Sequence, residues 1–174
     1  MRKQWHPKKK RRKRMSKGKF NDKISAEFTP PKTWELERVL SFKTHLLTKA
    51  DIDLLKEVGV NISNTGRISC KKGMKTDLAS VPRIVWSIIS PWDVARAAVI
   101  HDHLYATLRD YYHSRGMSKV KWRAARALSD KIFLWGMQSA EPSVLKGKIW
   151  SAYWSVRSFG RWPASSKGNN EITD

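Results

Sequence analysis

A short stretch in the second half of the chain places a histidine, an aspartate and a tyrosine at helical spacing. Residues 97–105 read AAVIHDHLY. His101 and Tyr105, four residues apart, share one face of a helix, and Asp102 points about 100° away. An imidazole among apolar side chains can act as a general base near neutral pH, and an aspartate beside it can bind a hard cation. The alternative is a buried structural network, in which His101 bonds to a carboxylate and Asp102 anchors a neighbouring loop.

A second helical segment offers a carboxylate that could face this histidine. Residues 127–134 read ALSDKIFL, and Asp130 shares a helix face with apolar side chains. If the two helices pack antiparallel, Asp130 can reach His101 and fix the tautomer of its imidazole. The alternative is an exposed ion pair of Asp130 with Arg126 or Lys131, worth only about 0.3–0.5 kcal/mol.

Another polar segment precedes the first of these helices. Residues 73–83 read GMKTDLASVPR. Asp77 and Ser80 can accept hydrogen bonds from the free backbone amides of a helix that begins near Pro82. Alternatively, Asp77 lies beside the helix of His101 and contributes to a polar or metal-binding site.

The charge of the chain is strongly positive and concentrated at its start. Of 174 residues, 35 are Lys or Arg and 15 are Asp or Glu, which gives a formal net charge of +20. Residues 1–19 hold eleven of the basic residues and no acid, which predicts a basic arm. Such an arm binds phosphates through counterion release, and acidic protein surfaces equally well. The binding residues are predicted to be Lys8, Lys9, Lys10, Arg11, Arg12, Lys13 and Arg14.

The last helical segment has an apolar stripe and a mixed row. The residues predicted to face the core are Leu145, Ile149, Ala152 and Val156. A second row combines large rings with guanidinium groups, which suits an interface with protein or nucleic acid. That row consists of Trp150, Trp154, Arg157 and Arg161. A helix that is apolar nearly all round can also simply be buried, so both interpretations stand.

Length and periodicity predict a single α+β domain. A strand is expected within residues 34–47, a short helix at 51–58, and a hairpin at 67–79 with its turn at Gly73. Three helices follow, at about 93–112, 118–139 and 143–159. The fold is therefore a small N-terminal antiparallel β region and then a bundle of three helices. The expected organisation is an extended basic arm at 1–32, the domain at 33–162 and a polar C-terminal tail at 163–174.

Composition excludes several classes of protein. No stretch approaches eighteen consecutive apolar residues, so no transmembrane segment is expected. The basic start is followed by no apolar stretch of the kind that a secretory signal requires. Cys70 is the single cysteine, which excludes an internal disulfide and a cysteine-based zinc site and fits a reducing compartment.

Four phrases of the sequence, in this order, resemble a family of phage and prophage proteins, the domain-of-unknown-function family number 1353. They are TDLASVPR at 76–83, AAVIHDHLY at 97–105, ALSDKIFLWGM at 127–137 and SVRSFG at 155–160. The resemblance implies a virus-encoded protein and supplies no established activity. The basic arm lies outside it.

Two of these phrases, AAVIHDHLY and ALSDKIFLWGM, are also distantly similar to the paired helices of phospholipase A2, the second to those of the prokaryotic type. This similarity implies that His101 activates water, that Asp102 binds calcium, and that Asp130 and Tyr105 orient the histidine. The glycine-rich calcium loop of that family has no counterpart, since the segment leading into the helix contains no glycine. Asp77 could supply the missing ligand.

The leading functional expectation is a structural virion component of a tailed bacteriophage, in the head–tail, tail or DNA-ejection machinery. Its partners would be other phage structural proteins, and DNA through the basic arm. Several copies are expected in the assembly. The expected locations are the virion and, during assembly, the host cytoplasm. The alternative is a calcium-dependent phospholipase A2-like hydrolase that uses the His-Asp site, and a third possibility is a DNA-binding host-takeover factor outside the virion. No cofactor is firmly implied, although Ca²⁺ would serve the hydrolase.

Overall fold

Strands come first and helices dominate the second half of the chain. The computed structural model describes residues 16–30, 33–76, 91–140, 143–160 and 164–165. Within them the strands are β1 (Lys19–Phe20), β2 (Ala26–Thr29), β3 (Thr33–Leu36), β4 (Leu40–Lys43), β5 (Arg67–Cys70) and β6 (Lys75–Thr76). The helices are α1 (Lys49–Glu57), α2 (Pro91–Tyr112), α3 (Lys119–Gln138) and α4 (Lys146–Phe159). This order confirms the predicted α+β class.

The strands form two small antiparallel sheets. One has the order β1-β4-β5 and the other β2-β3-β6. Phe42 on the central strand β4 lies opposite Phe20 on one side and Ile68 on the other. All three side chains are buried, so the first sheet turns an apolar face to the core.

The predicted hairpin within residues 67–79 is wrong. β5 pairs with β4 and β6 pairs with β3, so these two strands lie in different sheets. At the turn between them, Gly73 adopts a φ of 79°, in the left-handed region that glycine tolerates. Its N–H donates to the carbonyl of Leu36 at 2.7 Å, so the turn is held by β3 rather than by β5.

The single strand predicted within residues 34–47 is two strands, β3 and β4, which also belong to different sheets. The exposed residues 37–39 separate them. Arg38 in this connection pairs with Asp22 at 2.9 Å and stays at the surface. The chain therefore crosses between the sheets three times, after β1, after β3 and after β5.

Two strands precede the point at which the domain was expected to begin. β1 and β2 lie within the predicted arm at 1–32, and the ring of Phe20 packs under the guanidinium of Arg96 on α2, 4.8 Å from the ring centroid. The sheets therefore start upstream of residue 33. Residues 1–15, which include the basic run from Lys8 to Arg14, lie outside the described residues.

The helices begin and end close to their predicted bounds. Thr48 accepts a hydrogen bond from the backbone of Asp51, whose carboxylate accepts one from the backbone of Thr48, so a capping box starts α1. The side chain of Ser118 accepts from the amide of Lys121 and starts α3. No helix in the described parts of the chain is long and apolar enough to cross a membrane.

Helices α2 and α3 cross closely because a glycine lies at their contact. A Cβ on Gly136 would lie 2.9 Å from the Cβ of Ala97 and 3.5 Å from the ring of Phe20. The small residues let the two helix axes approach, which brings the polar side chains farther along the helices within hydrogen-bond reach.

Replacing Gly136 with valine should therefore lower the free energy of unfolding by about 1–3 kcal/mol, because the extra methyl groups overpack this crossing. Urea denaturation monitored by circular dichroism measures the change. Gly147→Val on α4 is the matched control, since a Cβ there meets nothing within 4 Å, and it should shift stability by no more than about 0.5 kcal/mol. Equal losses in the two variants would contradict the close crossing.

Candidate functional site

The two central helices of the bundle are antiparallel and meet through polar side chains. Three contacts mark their interface, Ala97 with Gly136, His101 with Asp130, and Tyr112 with Trp122. Residue numbers rise along one helix as they fall along the other, so the antiparallel packing considered from the sequence is what the structure has. Asp130 consequently reaches His101, and among the described residues it forms no ion pair with Arg126 or with Lys131.

A carboxylate, an imidazole and a phenol form the centre of this interface. His101 Nε2 lies 3.2 Å from Asp130 Oδ1, and the Tyr105 hydroxyl donates to the same oxygen at 2.6 Å. The exposed fraction of all three residues is 0%. These are the residues whose spacing predicted a His-Asp site, and the fold brings them together.

Aromatic rings fix the orientation of the imidazole. The centroid of the His101 ring lies 4.1 Å from that of Tyr105 and 4.8 Å from that of Phe133. With Nε2 directed at Asp130, the other ring nitrogen points away, and His101 Nδ1 has no hydrogen-bond partner among the described residues. The imidazole is thus bonded at one nitrogen, while the other has no partner in the part of the chain that the structure describes.

The electrostatics of the site favour an ionised carboxylate. Burial by itself would raise the pKa of Asp130, but hydrogen bonds from His101, Tyr105 and Arg157, together with the charge of His101, hold it below the ordinary value. Burial and the adjacent Asp130 carboxylate raise the pKa of Tyr105 well above its usual range. Because an ionised carboxylate only accepts, a neutral His101 carries its proton on Nε2 and a lone pair on Nδ1.

Arg157 on α4 is a member of this site that the sequence analysis placed elsewhere. It was assigned to a surface row, but its Nη1 donates to Asp130 Oδ2 at 2.8 Å, and only 30% of its side chain is exposed. The hydrogen bond to Asp130 and the charge of its carboxylate raise the pKa of Arg157 above its ordinary value, against the opposing effect of the desolvation of the guanidinium. The available signal was its position directly after the buried Val156, at the edge of the apolar stripe.

Gly160 at the end of α4 also belongs to the site, although neither its residue type nor its spacing singles it out. A Cβ at this position would overlap the hydroxyl of Tyr105 and the carbonyl of Val156. A residue without a side chain therefore lets the end of α4 approach the phenol.

Asp102, the predicted metal ligand next to His101, points to a different neighbour. Its Oδ2 accepts a hydrogen bond from the hydroxyl of Thr76 on β6, and the residue is buried. This contact ties α2 to the second sheet, as the anchoring alternative expects. Asp77, the other predicted ligand, lies outside the described residues.

A calcium site does not fit the described residues. Ca²⁺ takes six to eight oxygen ligands, several of them carboxylates or backbone carbonyls. In the described ranges, no group of three or more His, Cys, Asp or Glu side chains could hold a metal ion, and Asp102 is already bonded to Thr76. The described residues therefore do not by themselves supply the donor set that the resemblance to phospholipase A2 implies.

The aromatic row of α4, defined as Trp150 and Trp154, lies at the surface. These two side chains are 44% and 60% exposed, and Tyr153 makes edge contacts with both rings. Arg161, also assigned to this row, lies outside the described residues. On the opposite face Ile149, Ala152 and Val156 are buried as predicted.

Leu145 was predicted to continue this core face and is instead 71% exposed. It is the N-cap of α4, with extended backbone, so the helical periodicity that would direct it inward has not yet begun.

The fold and the site together define an α+β protein whose helical bundle encloses a His-Asp pair. Residues 52–156 match the model of the family described as "Protein of unknown function (DUF1353)", which is more than half of the chain. The chain belongs to this family. Neither the curated proteins nor the solved structures gave a match. The matched segment includes His101, Tyr105 and Asp130 and ends one residue before Arg157.

The lowered pKa of Asp130 gives stability a defined pH dependence. Its contribution is fully present above the unfolded carboxyl pKa of about 4 and is lost as the pH falls through the folded pKa. Asp130→Asn should therefore lower the free energy of unfolding by about 3 kcal/mol at pH 7, because Tyr105 and His101 lose an ionised acceptor. The difference from wild type should shrink below about pH 4.

Urea denaturation at pH 7, 5 and 3 tests this expectation. Asp110→Asn, at an exposed position on α2, is the control and should change stability little at any pH. A difference between Asp130→Asn and wild type that is the same at all three pH values would show that the charge of Asp130 does not stabilise the fold.

Proposed function

We propose that the helical bundle is a hydrolase of lipid or other ester bonds in which His101 is the general base. The observation that carries the proposal is the asymmetric imidazole, bonded through Nε2 to a buried carboxylate and left without a partner at Nδ1 among the described residues. A carboxylate that fixes the tautomer and leaves the second nitrogen free is the arrangement that general-base catalysis by histidine requires. The distant similarity to phospholipase A2 supports an ester as the substrate.

In this mechanism His101 Nδ1 removes a proton from water as the water oxygen attacks the ester carbonyl carbon. Asp130 stays ionised and stabilises the imidazolium that forms, while Tyr105 holds the carboxylate in place. The imidazolium then returns the proton to the leaving alkoxide as its bond to carbon breaks. Acid–base catalysis of this kind contributes about 10²- to 10⁴-fold.

No step is assigned to calcium, because the described residues do not form its site. His101 is inaccessible to solvent in this conformation, so turnover requires an open conformation in which Nδ1 meets water. The same hydrogen bonds also hold three helices together, which means that loss of stability and loss of catalysis must be measured separately.

Substituting glutamine for His101 separates the two roles. The glutamine amide can still donate to Asp130 and preserve much of the fold, but it cannot accept a proton. Hydrolysis of phospholipid vesicles and of a short-chain ester by the purified full chain should fall at least about 100-fold in His101→Gln. Each assay is run with calcium and with a chelator.

His113→Gln is the matched control. His113 is exposed just after α2, so its replacement should leave hydrolysis and stability unchanged. Absence of wild-type turnover in both conditions, or full turnover by a folded His101→Gln variant, would refute the hydrolase. Turnover that the chelator abolishes would point to calcium ligands outside the described residues, such as Asp77. Equal turnover in the chelator would assign the chemistry to the His-Asp pair alone.

We also propose, on a separate observation, that the protein is a structural component of a tailed-phage particle, in its head–tail, tail or ejection machinery. The aromatic row of α4 exposes two tryptophans, and the helix carries Lys146, Lys148 and Arg157 but no acidic residue. Exposed tryptophans are enriched at protein interfaces. Neighbouring phage proteins would bind the aromatic row, and DNA or acidic subunits would bind the basic residues before β1.

Particle incorporation tests this second function. A Trp150→Ser/Trp154→Ser variant should be at least about tenfold depleted from purified particles, because truncating interface tryptophans commonly costs more than about 1.4 kcal/mol of binding free energy. Val120→Ser, at an exposed position on α3, is the control and should be incorporated normally. A further variant lacks residues 1–15 and keeps β1. It should no longer bind DNA or the acidic neighbouring subunits. Wild-type protein that is present in the infected host but absent from particles would favour a host-takeover factor instead.

A further inference from the structure

Asp130 distributes three hydrogen bonds over two oxygens in an ordered way. Oδ1 accepts from both His101 and Tyr105 of α2, whereas Oδ2 accepts from Arg157 of α4. The guanidinium therefore occupies the oxygen that the imidazole does not use. A carboxylate held at both oxygens cannot rotate to present either one to another donor.

We propose that Arg157 is a positioning residue for His101: by donating to Oδ2 of Asp130 it reserves Oδ1 for the imidazole N–H, which keeps that proton on Nε2 and the lone pair on Nδ1. Arg157 acts through Asp130 and touches neither water nor ester.

The charges of the buried groups explain why an arginine is needed. With a neutral His101, the Asp130–Arg157 pair is electrically balanced, and the carboxylate can remain ionised inside the bundle. A second guanidinium, that of Arg126, acts on Tyr105 and is not a partner of Asp130. Without the guanidinium, burial would favour the protonated carboxyl group. That group would donate its own proton to His101 Nε2, and the imidazole proton would move to Nδ1. The nitrogen that should act as the base would then be blocked.

The end of α4 is seated against the site by a second contact within one helical turn. Gly160 lies so close to the Tyr105 hydroxyl that no side chain fits between them. Arg157 donates to Oδ2 of Asp130, while Gly160 lies against Tyr105, which donates to Oδ1. The end of α4 thereby supplies Arg157 and lies against Tyr105, two of the three groups that hold the carboxylate.

The inference rests on the proposed function for its effect on turnover, but the position of the imidazole proton can be measured without turnover. Nitrogen-15 NMR of the histidine side chains in the full-length protein separates the two neutral tautomers, and His101→Gln identifies the signals of His101. In the wild type and in Arg157→Lys, which keeps the charge, Nε2 should carry the proton at neutral pH. In Arg157→Met the proton should move to Nδ1 in most molecules.

Arg123→Met, at an exposed position on α3, is the matched control and should leave the tautomer unchanged. If wild type hydrolyses an ester, Arg157→Met should lower kcat about 10- to 100-fold with KM within about twofold. Arg157→Lys should recover most of the rate.

A folded Arg157→Met variant that keeps its proton on Nε2 would overturn the inference, and so would a wild type with its proton on Nδ1. Arg157→Gln replaces the methionine variant if the latter does not fold. If neither neutral variant folds, Arg157 is required for folding rather than for positioning, and the inference fails. A wild type without turnover but with the expected tautomer shift would refute the hydrolase and leave the positioning role of Arg157 intact.

Discussion

The carboxylate of Asp130 is the group on which the helical half of the protein depends. Removing a carboxylate from water costs several kcal/mol unless donors replace its hydration. Asp130 on α3 obtains those donors from two other helices, His101 and Tyr105 on α2 and Arg157 on α4. The bundle therefore cannot place its helices arbitrarily, because any arrangement that leaves this carboxylate short of partners is penalised. The close crossing at Gly136 and the short approach at Gly160 are the steric conditions under which all three partners reach it.

Two adjacent residues on α2 connect this helix to two different parts of the fold. His101 points into the bundle towards Asp130, while Asp102 points to Thr76 on β6. Their directions differ because successive residues on a helix are about 100° apart. The sheet and the bundle are consequently joined at the same point where the imidazole is held. The hydrogen bond between Thr76 and Asp102 thus places the second sheet against the turn of α2 that carries His101.

The helices and the His-Asp pair could be predicted from the sequence because both depend on spacing along one or two helices. His101 and Tyr105 are one turn apart, and Asp130 lies on an apolar face, where a carboxylate needs buried partners. Periodicity could not assign Arg157 to the site, since the residue lies between the buried stripe and the exposed row of α4. Whether its side chain turns to solvent or to Asp130 depends on how far the guanidinium can reach. The strand pairings failed for another reason. Residues 37–39 and the turn at Gly73 transfer the chain from one sheet to the other, and local propensity carries no information about which distant strand a segment will join.

The three crossings between the sheets have a consequence for how much of the chain is needed to complete them. β4 and β3 are the central strands of their sheets, and both lie before residue 52, where the family's shared pattern begins. The matched segment retains β5 and β6, which are edge strands of different sheets and cannot pair with each other. A fragment cut at that boundary would present two unsatisfied strand edges and uncover Ile68 and Cys70. The region in which the family is recognisable is thus smaller than the part of the chain that completes the two sheets, which reaches back to β1.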